Sequence, residues 1–430
     1  MIRNKLFIDL KTTPKKYLLI NTLYGLVDII SHQEYSKIIE WDKVDIPLLQ
    51  NQFEMDLYNK LKSRFYFLTD SEELRVKNDI ISKRVQPLEQ QLFSSKSASF
   101  IFSYDCNFKC PYCYEKGHSP SENMMTKEMI DKVISFYVDG IDHIGFFGGE
   151  PLLPQNIDLI SYVVKKVPDA YYTIITNGYH LDYYLPILRK IRVAMLQITI
   201  DGTKEQHNKT RILKNGEQTY DKIVENIKLC LEQKIPIKIR MNVSEKNIED
   251  CYNEQKELTR LFGENAVFFE LQPLFNYSYQ KQNCIIEQMR FNELSDNAKN
   301  IIWHTLPPLS NFIFNHKPLR PIIKFCDSES QNRFFDCNGD IYSCILSVGE
   351  RNKSIGKYYP KLDIKKDSIF TYNITTNEKC SKCNYSLICG GGCPYHVMDE
   401  KGSILCPNCF NLKNEIDYII PTLYKQLQGD

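Results

Sequence analysis

Three closely spaced cysteines are the first residues whose types and spacing indicate chemistry. Cys106, Cys110 and Cys113 stand in the run CNFKCPYCY, directly after an apolar segment that predicts a strand. Three thiolates separated by three and by two residues can surround one small iron–sulfur cluster from a single loop. A four-iron cluster with only three cysteine ligands keeps one iron open for another ligand, whereas a structural metal site is closed. The alternatives are a loop of ordinary thiols or a zinc site that lacks one ligand.

A second group of cysteines lies near the end of the sequence. It comprises Cys326, Cys337, Cys344, Cys380, Cys383, Cys389, Cys393, Cys406 and Cys409. Four of them form the specific run Cys-x2-Cys-x5-Cys-x3-Cys, which begins at Cys380. Cys380-x2-Cys383 together with Cys406-x2-Cys409 also has zinc-ribbon spacing, and four thiolates suit zinc. Zinc at those positions would leave the other cysteines of the group unexplained.

Composition indicates why metal is the expected use of these thiols. The chain has 430 residues, of which 43% are hydrophobic and 25% charged, as in folded proteins of two or three domains. Charges interrupt every apolar stretch near the start, so we expect neither a signal peptide nor a membrane span. The expected location is cytoplasmic, where thiols stay reduced and clustered cysteines generally bind metal. The formal net charge of +1 gives no reason to expect nucleic acid or a membrane as a partner.

The segments that must position the first cysteines alternate between strands and helices. Strands are predicted at Ala98–Ser103, His143–Phe147, Tyr171–Thr176, Ala194–Ile200, Ile235–Val243 and Ala266–Leu271. Amphipathic helices such as Lys127–Val138 and Tyr220–Gln233 lie between them. This repeated alternation predicts an α/β fold in which helices cover a parallel sheet, either open or curved into part of a barrel.

The residues before and after this alternation differ in character. Residues 1–95 contain no cysteine and predict a small α+β module. Its predicted elements are a hairpin over about Tyr17 to Ile30, helices near Tyr35–Ile39, near Phe53–Lys62 and from Asp70, and a strand at Phe65–Thr69. Residues 311–430 become turn-rich and cysteine-rich, and we expect them to depend on metals for their fold. The predicted domains are therefore 1–95, 96–310 and 311–430.

CNFKCPYCY resembles the signature of the radical S-adenosylmethionine superfamily. In that family the open iron is chelated by the amino and carboxylate groups of the methionine moiety, and reductive cleavage yields a 5′-deoxyadenosyl radical that abstracts hydrogen from a substrate. The resemblance implies that Cys106, Cys110 and Cys113 hold a [4Fe-4S] cluster that binds S-adenosyl-L-methionine, with Tyr112 near the adenine. It also implies a partial (β/α)6 TIM-like barrel and an external one-electron reductant such as flavodoxin or ferredoxin.

Further segments resemble motifs of that family, in the family's order. GGEP begins at Gly148, TNG begins at Thr176, and Arg240 with Asn242 fits an RxN pattern. The segment from Gln197 to Gly202, followed by His207 and Arg211, is similar to SLDG…HD…R, although Thr199 replaces the serine and Asn208 the aspartate. The cofactor-binding residues that the resemblance implies are Tyr112, Gly148, Gly149, Glu150, Thr176, Asn177, Thr199, Arg211 and Arg240.

The order of the later cysteines resembles the SPASM domain, which holds two auxiliary [4Fe-4S] clusters. For the first cluster the resemblance implies Cys326, Cys337, Cys344 and Cys393. Cys337 departs from the family pattern, and without it the cluster would have an open iron that could bind a substrate thiolate. For the second cluster it implies Cys380, Cys383, Cys389 and Cys409, which fits better than Cys406. Cys230, Cys251 and Cys284 are predicted to be ordinary buried thiols.

SPASM enzymes mostly modify peptides or proteins, and residues 1–95 resemble the leader-binding module of many peptide maturases. The resemblance implies a ribosomally synthesised precursor with a leader as partner, and a thioether link, a carbon–carbon link or epimerisation as the reaction. Residues 1–95 could instead only cover the barrel. Two other functions are an anaerobic sulfatase-type maturase that forms formylglycine, and a non-catalytic zinc-binding interaction protein.

Overall fold

The computed structural model describes residues 7–13, 16–41, 47–84, 93, 95–117, 123–274, 318–325, 332–365, 374 and 378–395. The chain divides into two compact units, each of which combines segments that are distant in sequence. One unit consists of residues 88–302 and 327–371, and the other of residues 1–87, 303–326 and 372–430. The three consecutive domains predicted from the sequence remain a prediction.

The first of these units is built on a sheet of ten strands. They are β4 (Ser97–Ile101), β5 (His143–Phe146), β6 (Tyr171–Thr176), β7 (Arg192–Thr199), β8 (Ile237–Val243), β9 (Phe268–Pro273), β10 (Arg333–Asp336), β11 (Asp340–Tyr342), β12 (Gly356–Lys357) and β13 (Asp363–Ile364). Their spatial order is β13-β12-β11-β10-β4-β5-β6-β7-β8-β9. Every neighbouring pair from β10 to β9 is parallel, whereas β10 to β13 pair antiparallel.

Helices connect the parallel strands. They are α4 (Lys127–Ser135), α5 (Ile157–Lys166), α6 (Leu181–Leu188), α7 (Lys204–Thr210), α8 (Tyr220–Glu232) and α9 (Ile248–Phe262). Short 3-10 turns lie at Tyr114–Gly117, Pro154–Asn156, Ile345–Ser347 and Arg351–Lys353. Helix α4 shows why these segments are helical: Thr126 caps its first turn, and Met129, Ile130 and Val133 form one buried stripe. The stripes of the helices and the inner strand residues make one continuous core.

The predicted α/β fold is confirmed, and all six predicted strands are present. Their ends differ from the prediction by at most two residues, because the hydrophobic pattern of each strand and the turn residues beside it mark the ends clearly. A seventh parallel strand, β10, was not predicted from the sequence. It pairs with β4 in the register Arg333 to Ala98, and a strand of only four residues in a turn-rich segment gives no pattern that predicts such a distant partner.

The other unit contains a three-stranded antiparallel sheet, of β1 (Phe7–Thr13), β2 (Lys16–Asn21) and β3 (Leu26–Ser31). Its helices are α1 (His32–Trp41), α2 (Gln52–Ser63), α3 (Asp70–Arg84), α10 (Glu378–Ser381) and α11 (Ser386–Cys389). The predicted hairpin is therefore present. Of the strand predicted at Phe65–Thr69, only Phe67 forms a β-bridge, because Arg64 and Phe65 form a turn in which Phe65 has a φ of 61°. Within the described ranges of both units, no helix has the length and apolar character needed to cross a bilayer.

Candidate active site

One cavity lies where the parallel strands of the larger sheet end. The loop that follows β4 and residues that directly follow β5, β6 and β9 line it together with residues near the ends of β7 and β8. Its internal free volume is about 180 Å³. Ligands of parallel α/β sheets are bound at the carboxyl ends of the strands, so this is the expected place for chemistry.

The structure brings the residues predicted for the radical site to this cavity. Its lining includes Cys106, Cys110, Cys113, Tyr112, Gly148, Gly149, Glu150, Thr176, Asn177, Thr199, Arg211 and Arg240. Asn242 of the RxN pattern also borders it, as do residues that the sequence did not single out, namely Phe108, Tyr114, Phe147, Ile175, Gln197, Leu274 and Ile345. Positions far apart in sequence thus form one surface because successive parallel strands end side by side.

The three cysteines of the CNFKCPYCY loop border the cavity, and they do not converge on one metal-ion position. No three cysteine, histidine or carboxylate side chains in the described ranges converge closely enough to hold a single metal ion. The Cys106 Sγ accepts the Phe108 backbone N–H at 3.4 Å, and the Asn177 side-chain amide lies 4.0 Å away. Burial raises the pKa of the Cys106 thiol to about 12 and that of Cys113 to about 11. The Cys106 and Cys113 thiols are therefore protonated at neutral pH until a metal displaces their protons.

The glycine pair at the end of β5 explains how the next motif approaches this loop. Gly148 and Gly149 have φ values of +85° and +53°, and a Cβ on Gly149 would lie 2.2 Å from the Asp105 carbonyl oxygen. The Glu150 N–H donates to that same oxygen at 2.7 Å. Only glycine permits this close contact. The turn therefore fixes Glu150 beside the loop of Cys106.

Glu150 is a buried carboxylate that accepts several hydrogen bonds. Thr176 Oγ1 donates to its Oε1 at 2.6 Å and the Leu152 N–H at 2.9 Å, while the Asn177 N–H donates to its Oε2 at 2.7 Å. Burial raises the pKa of Glu150, and these hydrogen bonds oppose that effect. Two carboxylate oxygens offer about four acceptor positions, so one remains for a cationic ligand.

We expect Glu150→Gln to weaken binding of S-adenosylmethionine by about ten- to a hundredfold, because one charge-assisted hydrogen bond contributes roughly 1.5–3 kcal/mol. Equilibrium dialysis under anaerobic conditions measures this affinity. Asn156→Ala is the matched control: the Asn156 amide is buried and donates at 3.0 Å to the Pro151 carbonyl, so it steadies the same loop without contributing charge. Equal losses in the two variants would contradict a role for the carboxylate charge.

A network around Asp201 was missed in the sequence. Asp201 is buried, accepts a short hydrogen bond from the Tyr112 hydroxyl, and accepts the Asn242 N–H at 2.9 Å. Arg211 Nη1 donates to the Tyr112 hydroxyl at 2.9 Å, and the guanidinium lies 5.5 Å from the centre of the Phe108 ring. Tyr112 is thus fixed by its hydroxyl. The position of Asp201 within the SLDG-like motif was the available signal.

His207 and Asn208 have structural roles. His207 is fully buried, its Nδ1 accepts the Asp201 N–H at 3.3 Å, and its Nε2 contacts the Thr219 hydroxyl at 3.1 Å. Burial lowers the pKa of His207 well below its ordinary value, so the ring is neutral. Asn208 Oδ1 accepts the N–H groups of Thr219 and Tyr220, each at 3.1 Å, and so caps α8. Asparagine at this position therefore serves the fold.

Glu115 is a second carboxyl beside the glycine turn. Its Oε2 accepts the Gly149 N–H at 2.9 Å. Burial raises the pKa of Glu115 to about 7, and the nearby Glu150 carboxyl contributes to the increase. Glu115 thus ties the residues after Cys113 to the turn that carries Glu150. Its position two residues after Cys113 is the only signal in the sequence.

The later cysteines fall in both units. Cys337, which is buried, and Cys344 belong to the unit of the large sheet, whereas Cys380, Cys383, Cys389 and Cys393 belong to the other. Cys326 and Cys409 lie outside the described residues, as do Cys406 and Cys284. Cys230 and Cys251 are fully buried in the core, as predicted.

Known proteins are similar to this chain in sequence. The family model described as Radical SAM superfamily matches residues 100–280. GTP 3′,8-cyclase of Clostridium perfringens (strain 13 / Type A) is 32% identical over 178 residues, which cover 39% of this chain and 53% of the cyclase, so the chain spans about half the length of this relative. A cysteine-type anaerobic sulfatase-maturating enzyme of Clostridium novyi (strain NT) is 24% identical over 380 residues, or 77% of this chain and 100% of that enzyme.

Solved structures share the fold. The structure described as native anSMEcpe with bound AdoMet has a TM-score of 0.60 at 20% identity and covers 77% of this chain and 99% of its own. SuiB of Streptococcus suis bound to S-adenosylmethionine has a TM-score of 0.55 at 16% identity, over 95% of this chain and 99% of its own. The motifs gathered around the cavity all lie within residues 100–280, the part of the chain that the Radical SAM superfamily model matches, so these residues form a radical SAM domain.

Proposed function

We propose that this chain is a radical S-adenosylmethionine enzyme that modifies a ribosomally synthesised peptide. The observation that carries the proposal is the cavity at the strand ends, where three thiols, the Glu150 carboxylate and the Arg211 and Arg240 guanidiniums lie on one surface. This set suits a ligand that has a metal-binding end, an ammonium and a carboxylate. SuiB has been solved with the precursor peptide SuiA, which supports a peptide as the substrate class.

In this proposal each part of the cavity has one role. Cys106, Cys110 and Cys113 would hold a [4Fe-4S] cluster, and the N–H of Phe108 would stabilise negative charge on the Cys106 sulfur. When bound, the cluster and S-adenosylmethionine supply a 5′-deoxyadenosyl radical that abstracts hydrogen from the substrate. Glu150 would bind the ammonium of the cofactor. The other proposed contacts are Tyr112, Gly148, Gly149, Thr176, Asn177, Thr199, Arg211 and Arg240.

Two auxiliary [4Fe-4S] clusters are part of the proposal. One would use Cys380, Cys383, Cys389 and Cys409, and the other Cys326, Cys337, Cys344 and Cys393. Cys380, Cys383 and Cys389 are described, and they lie on one short segment that contains tight backbone turns. The Cys383 N–H donates to the Cys380 carbonyl at 3.2 Å, and the Cys389 N–H to the Tyr385 carbonyl at 2.9 Å. Such turns bring thiols from a short segment together.

Sulfatase maturation is the second candidate. The observation that favours it is the alignment with the Clostridium novyi sulfatase-maturating enzyme over all of that enzyme's length. In that case the substrate would be a sulfatase segment whose cysteine or serine becomes formylglycine. An external one-electron reductant such as flavodoxin or ferredoxin is required by either function.

The test is to incubate the anaerobically purified, reconstituted enzyme with each substrate class and analyse the products by mass spectrometry. The probes are a precursor peptide encoded beside the gene and a sulfatase-derived peptide that contains the cysteine. We expect the precursor to lose two hydrogen atoms per crosslink, or to change the configuration of one residue at constant mass. Conversion of the sulfatase peptide to an aldehyde, with the precursor unchanged, would replace the proposal with its alternative.

A further inference from the structure

Lys77 lies where the N-terminal segment meets the second group of cysteines, within one unit of the chain. It belongs to α3, and only 9% of its surface is exposed. Its ammonium donates a short hydrogen bond to the carbonyl of Ser381, which stands between Cys380 and Cys383. A helix from the first hundred residues thus places a cation on the loop that carries two of the proposed cluster ligands.

The surroundings of Lys77 are mostly apolar. Leu23, Leu68, Ile323, Ile374, Cys380 and Leu387 form a buried cluster, against which Val76, Ile80 and Ile81 of α3 pack. The Thr22 hydroxyl also donates to the carbonyl of Asn384, directly after Cys383, at 3.1 Å. The apolar contacts hold α3, and the Thr22 hydrogen bond holds the turn between β2 and β3, against the segment that carries Cys380 and Cys383. Lys77 therefore keeps its position.

A buried ammonium is costly unless negative charge lies close to it. Glu73 lies one helical turn before Lys77 on α3, and Cys380 and Cys383 flank Ser381, whose carbonyl the ammonium contacts. Thiolates bound to iron would add the negative charge that this position favours. A cluster with four thiolate ligands is anionic, and one-electron reduction makes it more so.

We propose that Lys77 is a positioning residue for an iron–sulfur cluster on Cys380, Cys383 and Cys389, and that its charge raises the reduction potential of that cluster. This inference rests on the proposed function, which assigns a cluster to these cysteines. The ammonium stabilises the reduced, more negative state more than the oxidised one, because attraction grows with the opposing charge. The N-terminal segment would then help to determine the reduction potential of the cluster against which it packs.

The test uses full-length protein in which Cys106, Cys110 and Cys113 are alanine, so that the remaining iron belongs to auxiliary clusters. In this background Lys77→Met removes the charge and keeps an apolar chain, while Lys77→Arg keeps the charge. Lys83→Met is the matched control, since Lys83 is on the same helix, has a side chain 72% exposed, and pairs with Asp79. Reduction is followed by electron paramagnetic resonance at controlled potentials, with iron measured in parallel.

We expect Lys77→Met to lower the one-electron reduction equilibrium constant of one cluster about tenfold, a shift of about 59 mV to more negative potential. In Lys77→Met the other auxiliary cluster should keep its original potential. In Lys77→Arg and in Lys83→Met both auxiliary clusters should keep their original potentials. Loss of one cluster's iron in Lys77→Met but not in Lys77→Arg would also support a role for the Lys77 charge at that cluster. Unchanged iron and potentials in Lys77→Met, or equal iron loss in both Lys77 variants, would overturn the inference. Absence of iron from the background protein would instead disprove the auxiliary clusters themselves.

Discussion

Replacing Cys106, Cys110 and Cys113 together with alanine is expected to abolish cleavage of S-adenosylmethionine to 5′-deoxyadenosine and methionine. The three thiols are the only cysteines that border the described cavity at the strand ends, together with Glu150 and Arg211. Without them no iron is held where the cofactor would bind, so the loss should reach the background rate. Chromatography of 5′-deoxyadenosine after reduction measures it, and iron and sulfide analysis shows which clusters remain.

Cys230→Ala is the control for this experiment. Cys230 is a fully buried thiol on α8, away from the lining of the cavity. It should keep its iron and its cleavage activity, with at most a modest loss of stability from the small void. A triple variant that still cleaves the cofactor at the full rate would contradict the assignment of the radical site. Wild-type protein that binds zinc and no sulfide would favour the non-catalytic alternative.

Deleting residues 1 to about 90 is expected to abolish peptide modification while leaving much of the uncoupled cofactor cleavage. Cleavage should persist because the cavity residues belong to the unit of residues 88–302 and 327–371. Modification should fail because a leader would lose its docking site, which lowers the local concentration of the core peptide. The deletion also removes Lys77 and the partners of Ile323 and Leu387, so we expect one cluster's iron to be lost. Anaerobic cleavage assays, iron analysis and mass spectrometry of a co-expressed precursor measure the three effects.

A point variant separates leader docking from this packing role. Ile29 lies on β3, at an edge of the small sheet, and 46% of its surface is exposed. Exposed strand edges accept an added peptide strand. Ile29→Lys should therefore raise the KM for a leader-bearing peptide without changing iron content, whereas Leu74→Lys, at a residue 59% exposed on α3, should not. A truncated, iron-replete enzyme that modifies its peptide at the normal rate would disprove docking.

Local sequence patterns accounted for much of the fold and for many of the residues that line the cavity. The spacing of apolar residues typical of strands and helices located β4 to β9. Cysteine, glycine and acidic residues at the predicted strand ends indicated the cavity. Contacts between distant segments left no such pattern. Neither the pairing of β10 with β4 nor the packing of Leu23 and Leu68 against Ile323 follows from periodicity. Asp201 and Glu115 were missed because one buried carboxyl among 53 acidic residues looks like any other until its partners are known.

The pairing of β10 with β4 has a consequence for synthesis of the protein on the ribosome. β4 leads into the loop of Cys106. Until residues 333–336 leave the ribosome, the edge of β4 that pairs with β10 has no partner strand. Tyr104, in the same loop, also donates to Asp336 Oδ2 at 2.8 Å. An unpaired strand edge can recruit other chains during slow, non-local folding. A nascent chain that stalls before residue 333 would therefore expose both an aggregation-prone edge and an incompletely held cysteine loop, so iron is best delivered after translation has passed this point.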